Sequence, residues 1–476
     1  MNQLLKDRIA QTKTTLLAHN QAHLLAFINT LTETEITALL DQIEGFDFTL
    51  IDNLIAQYIK SDATFEMPSA IDPAPAFPLD PDSQYQGQYD AATRVGEQMI
   101  RKNQVAAFTV AGGAGTRLNY PGPKGNVPAT PIQEKTLFQL FAEGIDAIQQ
   151  QYQCTIVWYI MTSESNHDET IASFEKENYF GLKKENVICF PQGMMPCFAA
   201  DGKILLDQKG VVSVSPDGHG GSLRALYTSG AVQDMKARGI EVLSYFQIDN
   251  PIVMPIDPRF IGLHANAKAG MSSKAVIKVD PLEKVGNFTV VDDKITVIEY
   301  SDLPDEVAKE KDKDGNYQFM LGSIAIHLIS RTFIEEINKG QFSLPWHKAI
   351  KSVPFIDTTG KRVTPERPNA VKLESFVFDA LPMSDTSIIL SIDRNEEFAP
   401  IKNATGVDSR ESSKQLQINR AAKWLTACGV TVATKENGDA DCTIEIAPHF
   451  AHNLATLKSK TLKFTNIAAG EFVYLG

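Results

Sequence analysis

The segment Val105–Val110, read as VAAFTV, runs directly into Ala111-Gly-Gly-Ala-Gly-Thr-Arg-Leu118. No other stretch of the chain restricts its fold as much. A short apolar, β-branched run bounded by glycines predicts a strand buried on both faces, and such strands belong to parallel sheets covered by helices. The rest of the middle of the chain agrees with this. Helix-like Lys135–Gln151 leads to a predicted strand over Thr155–Met161, and helix-like Ser222–Arg238 leads to one over Glu241–Ile248. That alternation predicts an α/β fold with a mixed, mostly parallel sheet.

The flanking regions differ in character. The first 60 residues read as helical. Thr32 and Glu35 have capping-box spacing, Ile36, Leu39, Leu40 and Ile43 follow at helical period, and Gly45 supplies a stop. Pro68, Pro73, Pro75, Pro78 and Pro81 crowd one stretch, which can continue neither a helix nor a central strand and predicts a surface connector. A further helix is expected over Tyr89–Lys102. Hairpins are expected to turn at Asp292-Asp293 and near Asp314-Gly315. After Lys402 the pattern changes again, with no internal repeat anywhere. The expected division is a helical region with its Pro-rich connector over 1–95, a central domain over 96–400 and a small α/β domain over 401–476.

Composition limits the partners. The 476 residues are too many for one compact core, and 45 Lys+Arg against 58 Asp+Glu leave a formal net charge of −13. Bulk charge therefore argues against coating nucleic acid or an anionic membrane, and a phosphorylated ligand requires cations gathered locally. No stretch approaches the roughly 20 apolar residues of a membrane span, and the opening MNQLLKDRIAQTK has no apolar core of the kind a secretory leader carries. Five scattered cysteines without a CxxC spacing read as reduced thiols. A cytoplasmic protein is the expectation.

The glycine turn carries the chemistry. Gly112, Gly113 and Gly115 let a ligand lie against bare backbone amides, and a turn of this kind at a strand end is a phosphate or nucleotide cradle. The same turn also serves as a plain strand-to-helix connection. It is not a dinucleotide fingerprint, because Leu118 stands where the third glycine belongs, and no GxxxxGK[ST] loop is present. Arg117 and, seven residues on, Lys124 flank a Pro/Gly loop able to fold back over the cradle. Arg offers phosphate a planar fork and Lys a movable point charge.

AGGAGTRLNYPGPKG resembles the G-x-G-T-R-L and P-K pattern of the eukaryotic-type UDP-sugar pyrophosphorylases. QAHLLAFINTL, YFGLKKENVICFPQGMMPC, DNPIVMPIDPRFIG, VIEYSDL, VPFIDTTGKRVTPERPNAVKLESFVFDAL and EEFAPIKNA resemble further blocks of that family in the same order, from about residue 20 to about 405. The resemblance implies a Rossmann-like nucleotidyltransferase (GT-A-like) central domain. It implies that Gln192, Gly112 and Gly113 recognise uracil, with Gly115 and Thr116 in the same nucleotide loop. A glutamine amide both donates and accepts, as an imide edge demands. Gly218 and His219, in Ser215-Pro-Asp-Gly-His-Gly-Gly221, are implied beside the nucleotide and sugar. The branch using N-acetylglucosamine commonly has Asn where this chain has His219, and His is more usual in the glucose branch. Asn250 is implied at the sugar phosphate or hexose, and Asp249 as the ligand of Mg²⁺ (or Mn²⁺). Gly286, Glu299, Phe376 and Phe378 match the family's sugar pocket, where Ser323 replaces a sugar-contacting asparagine. Without the resemblance, Gln192 and Lys402 read as surface residues, Asp249-Asn250 as an Asx turn and Phe376-Val-Phe378 as core.

The implied reaction joins UTP to a hexose 1-phosphate, N-acetylglucosamine 1-phosphate first, forming UDP-sugar and pyrophosphate. Arg117 is expected on the β,γ-phosphates, Lys124 on pyrophosphate and the transition state, and Lys402 on the α-phosphate or sugar phosphate. Glucose or galactose 1-phosphate, a catalytically silent nucleotide-binding protein and a dinucleotide oxidoreductase are the alternatives, the last disfavoured by the missing glycine. A monomer or weak homo-oligomer is expected. His449-x-x-His452 lacks the glutamate of a zinc-protease helix. Glu310-x-Asp312-x-Asp314-Gly315 lacks the closing glutamate of a calcium loop, Leu321 standing in its place.

Overall fold

The computed structural model describes residues 1–61, 67–340, 342 and 344–476. They form two compact units, neither continuous in sequence.

The first unit comprises Met1–Met67, Gly193–Gly221 and Ser343–Val377. Its helices start where side chains satisfy amides that a helix leaves unpaired. Asn2 caps Gln3–Ala18 and Asp47 caps Phe48–Leu54. Thr32 and Glu35 close a reciprocal capping box on Glu33–Glu44, whose buried face is Ile36, Leu39, Leu40 and Ile43. These helices share a core with Phe198, Ile204, Val371 and Leu373 from the later segments. A three-stranded sheet, with Ala370–Glu374 between His347–Lys351 and Phe198–Ala199, is built only from those segments. Met194–Pro196 and Val214–Pro216 pair beside the SPDGHGG loop.

The second unit comprises Pro68–Gln192, Ser222–Phe342 and Phe378–Gly476. Its ten-stranded sheet includes β1 (Val105–Val110), β2 (Trp158–Thr162), β3 (Val187–Pro191), β4 (Val242–Gln247), β5 (Met271–Ile277), β6 (Gly286–Val291), β7 (Lys294–Ile298), β8 (Leu321–Ser330) and β9 (Ser387–Ile392). Strands β4, β1, β2 and β3 run parallel in that order. Long β8 pairs antiparallel with β4, β5 and β6, and β9 lies parallel to β5. All six residues of β1 are buried or nearly so, as the sequence predicts for a covered strand. Trp158 donates its indole N–H to Thr109 Oγ1 at 2.7 Å within a core of Phe138, Phe141, Phe174, Phe246 and Phe260. The hairpin between β6 and β7 turns at Asp292-Asp293, with φ of 47° and 61°, the left-handed pair that a two-residue hairpin requires.

One predicted helix is interrupted. Ser222–Arg238 forms Ser222–Thr228 and Ala231–Arg238, because Gly230 adopts φ 85° between them. The tail belongs to the second unit by its contacts and has its own apolar cluster of Ile418, Trp424, Leu425, Ile444, Leu457 and Ile467. Among the described residues no helix is long and apolar enough to cross a membrane.

Candidate active site

The in-register parallel strands bring four chain segments to one edge of the second unit. Val110 lies opposite Gln247 and Met161, and Thr162 lies opposite Pro191. The carboxyl ends of β1, β2, β3 and β4 therefore release the glycine turn, Ser163–Asn166, Gln192 and Asp249-Asn250 side by side. Ligands of open α/β sheets gather at such ends.

The glycine turn is a closed loop. Lys124 N–H donates to the Gly113 carbonyl at 3.0 Å and Gly115 N–H to that of Gly122 at 2.8 Å. Gly122 (φ 112°) and Asn119 (φ 54°) supply the left-handed positions this folding-back needs. The loop is fastened below by Asn166, whose amide donates to the carbonyls of Ala111 at 3.0 Å and Gly113 at 3.4 Å. Its own Oδ1 accepts from Ser163 N–H at 2.8 Å. Sequence reading missed Asn166, although an Asn just before a helix is a recognisable turn signal. Gln192 is buried with its Oε1 against the bare Cα of Gly112, so close that a Cβ there would lie 2.8 Å from it. Gly112, Gly113 and Gln192 thus share one small region. Thr116 and Arg117 are exposed on the one-turn helix Gly115–Leu118, while Gly115 is buried.

Lys124 lies over Gly113, its Cε 3.6 Å from where a Cβ on that glycine would stand. Its ammonium meets Asp249 Oδ2 at 3.3 Å. Asp249 accepts at its backbone carbonyl from Ile401 N–H at 2.8 Å, which brings the Lys402 segment alongside. Lys402 N–H in turn donates to the Asp408 carbonyl at 2.7 Å. Burial pushes the Asp408 carboxyl above its ordinary value, nearby Lys402 opposing this and Asp249 adding to it. Lys124, Asp249 and the backbone of the Lys402 segment, from three distant parts of the chain, are thereby brought together, the exposed Lys402 ammonium lying 5.8 Å from the Phe398 ring centroid, with Asp408 as a member that sequence reading did not find. Asn250 is 5% exposed and engaged with backbone: Nδ2 donates to the Glu397 carbonyl at 2.6 Å, and Oδ1 accepts from Ala399 N–H at 3.0 Å.

The expected sugar residues fall into separate groups. In the second unit Gly286 on β6 lies opposite Ser323 on β8, and a Cβ on Gly286 would stand 3.4 Å from Glu299 Oε1. Ser323 Oγ is buried without a hydrogen-bond partner among the described residues. The ladder between β5 and β8 shifts register between Ser273 and Ala275, and Ala325 takes φ 55°, so a bulge aims this part of β8. Phe378, also in the second unit, is buried in the short helix Val377–Met383.

The first unit holds Gly218, His219 and Phe376. Gly218 (φ 86°) and Gly220 press against the backbone of Ser375 and Phe376 so closely that neither position has room for a Cβ. Phe376 stacks between His219, 5.1 Å away, and His347, 4.1 Å away. Val377 N–H donates to His219 Nδ1 at 3.1 Å. Burial, with His347 adding, holds the His219 ring down to about 4, so at neutral pH the ring is uncharged and its proton sits on Nε2. Asp217 and His347 were not singled out in the sequence.

The dismissed motifs stay outside this chemistry. His449 pairs with Asp146 at 2.9 Å, and Asp312 closes a turn onto the amides of Asp314 and Asn316. Among the described residues, no three His, Cys, Asp or Glu side chains cluster as a ready cation cage. Asp249, a single strand-end carboxylate beside Lys124, suits a cation that completes its shell with phosphate oxygens and water, as Mg²⁺ does.

Known proteins are similar to this chain over most of its length. Residues 55–467 match the family described as UTP–glucose-1-phosphate uridylyltransferase. The chain is 32% identical over 444 residues to a probable UDP-N-acetylglucosamine pyrophosphorylase of Schizosaccharomyces pombe, covering 89% of this chain and 91% of that one. It is 37% identical over 350 residues to the UDP-N-acetylglucosamine pyrophosphorylase of Saccharomyces cerevisiae, covering 71% and 73%. A solved structure of the uridine diphosphate N-acetylglucosamine pyrophosphorylase of Trypanosoma brucei superposes with a TM-score of 0.79 at 26% identity, over 95% of this chain and 94% of that one. The chain belongs to the UTP–glucose-1-phosphate uridylyltransferase family.

Proposed function

We propose that this protein transfers the uridylyl group of UTP to N-acetylglucosamine 1-phosphate. A phosphate oxygen of the sugar 1-phosphate attacks the α-phosphorus, the bond to the bridging oxygen breaks, and pyrophosphate leaves. The observation that carries this reading is the gathering of Lys124, Asp249 and the backbone of the Lys402 segment beside the Gly112–Gly113 turn at the ends of parallel strands. The names of the Schizosaccharomyces and Saccharomyces relatives support the choice of sugar.

The attacking oxygen is ionised near neutral pH, so no general base is required. The protein's task is to hold two polyanions in line and to neutralise charge on the leaving group. Gln192 and the bare amides of Gly112 and Gly113 take the uracil edge. Arg117 takes the β,γ-phosphates and Lys124 the departing pyrophosphate. Lys402 takes the α-phosphate or the sugar phosphate. Asp249 is the residue that would hold Mg²⁺, which supplies charge neutralisation on phosphate oxygens. Glu299 and Ser323 supply acceptors and a hydroxyl for the hexose. We assign the reaction to the cytoplasm, where free thiols such as those of the five cysteines persist.

A second acceptor, glucose or galactose 1-phosphate, is favoured by one observation. Ser323, shorter than the asparagine of the resembled pattern, leaves its hydroxyl without a hydrogen-bond partner among the described residues, beside Gly286. Pyrophosphate release from UTP across N-acetylglucosamine, glucose and galactose 1-phosphates tests both readings. The highest kcat/KM is expected with N-acetylglucosamine 1-phosphate. A higher value for glucose or galactose would reassign the acceptor, and no release with any sugar would overturn the transfer reading.

A further inference from the structure

Lys274 lies on β5 with its side chain 1% exposed, yet it meets two carboxylates: Asp257 Oδ2 at 2.8 Å and Glu397 Oε1 at 2.6 Å. Burial works against its charge, and the two carboxylates more than restore it, so its pKa lies above the ordinary value. A buried ion cluster is weak evidence of stabilisation, because well-packed apolar side chains often serve as well or better. What its partners hold is more informative.

Glu397 is bound on three sides. Its Oε1 takes Lys274, its Oε2 accepts from Met254 N–H at 3.2 Å, and its carbonyl accepts from Asn250 Nδ2 at 2.6 Å. Two residues on, Ala399 N–H closes the Asn250 amide from the other side at 3.0 Å. Two further on, Ile401 N–H reaches the Asp249 carbonyl at 2.8 Å. The segment 397–402 is thus laced to the strand end at 249–250, with Lys402 as its exposed last member. Asp257, the other partner of Lys274, caps the helix Pro258–Ala267 through the amides of Arg259 and Phe260. Lys274 therefore joins a fixed helix start to the Glu397 end of the lacing, while making no contact with the glycine turn itself.

We propose that Lys274 is a positioning residue for uridylyl transfer, pinning Glu397 so that Asn250 and the 397–402 backbone hold Lys402 and Asp249 in their working arrangement. The inference rests on the transfer reading and on the role given there to Lys402. Small displacements of a positioned charge lower the rate of an in-line displacement more than they lower substrate binding.

The test compares wild type, Lys274→Met, Lys402→Ala and the double variant by kcat, by KM for UTP and by thermal melting. Lys274→Met is expected to lower kcat by about tenfold or more, with KM for UTP changed by less than about threefold. In the Lys402→Ala background the same substitution is expected to lower kcat by less than about twofold further, because both act through one group. A purely structural role would lower the melting temperature and leave this non-additivity absent. If Lys274→Met does not fold, Glu397→Gln, which keeps the side chain's size, carries the same comparison. A folded variant with kcat within about twofold of wild type, or losses that multiply in the double variant, overturns the inference alone. Full activity of Lys402→Ala overturns it together with the role of Lys402. Absence of pyrophosphate release by the wild type overturns the transfer reading itself.

Discussion

Asp217 places a carboxylate against two bare glycine Cα atoms: a Cβ on Gly193 would lie 2.3 Å from Oδ2, and one on Gly221 2.2 Å from Oδ1. Oδ1 is buried without a hydrogen-bond partner among the described residues, and burial pushes the group up to about 7 from 3.8. Between those two values the folded carboxyl keeps a proton that the unfolded one has lost. The folded state then binds more protons, and this group's contribution to stability falls as pH rises through the window. Asp217→Asn, similar in shape but uncharged, is expected to raise the melting temperature most at pH 8, by less at pH 5, and little only once pH falls below the unfolded value of 3.8. A gain confined to pH 5 would contradict the assignment. Lys124 affords a second test at this scale. Its ammonium reaches Asp249 Oδ2 at 3.3 Å beside Gly113, and under the proposed transfer it acts on leaving-group charge. Lys124→Ala is expected to lower kcat by about 100-fold, while calorimetric uridine binding stays near wild type. Near-normal kcat would remove Lys124 from the transition state.

Two helices of the second unit, Ser83–Arg101 and Pro258–Ala267, cross at unusually close range. A Cβ on Gly96 would sit 1.8 Å from the Pro258 carbonyl oxygen, and one on Gly262 1.7 Å from that of Ala92. Those oxygens belong to backbone and cannot step aside, so the glycines are there for approach and not for flexibility. Gly96→Ala is expected to cost about 3 kcal/mol or more in urea unfolding. Gly87→Ala, on the same helix with open space around it, is expected to add about 0.5–1 kcal/mol. A neutral Gly96→Ala would mean the crossing can widen freely. Elements of this kind were unevenly legible in sequence. The Thr32–Glu35 box and the Asp292-Asp293 turn follow from interactions within four residues, and both form as read. The break in Ser222–Arg238 was missed because one glycine in a helical pattern is tolerated as often as it interrupts, and packing selects between the two.

Over the whole molecule, a net charge of −13 coexists with a lysine, Lys124, at the ends of the parallel strands, and the proposed function adds Arg117 and Lys402 to it as the phosphate-binding set. Attraction between those few cations and a nucleoside triphosphate acts partly through solvent, so salt screens it over about 8–10 Å at physiological ionic strength. KM for UTP is therefore expected to rise several-fold between about 0.05 and 0.5 M salt, with kcat changing less. The same protein is expected to leave a labelled DNA duplex unshifted at low salt. A KM independent of salt would argue against Arg117, Lys124 and Lys402 as the phosphate-binding set.

What the sequence alone determined is local: which runs form strands and capped helices, where glycines open a cradle, and which side chains can neutralise phosphate. The family resemblance extended this to Gln192, Asp249 and Lys402, which residue type and spacing alone leave ambiguous. Which groups finally meet was decided by the tertiary structure. Lys124 and Asp249 are 125 positions apart, and Lys274 and Glu397 are 123 apart. A lone lysine in β5 reads as an ordinary strand residue until its carboxylates close around it. The first unit, assembled from three separated segments, was likewise invisible to a linear reading. The physical reason is range. Capping, turns and periodicity act over a few residues and are written in order along the chain, whereas a buried charge requires partners that only the folded sheet brings within 3 Å.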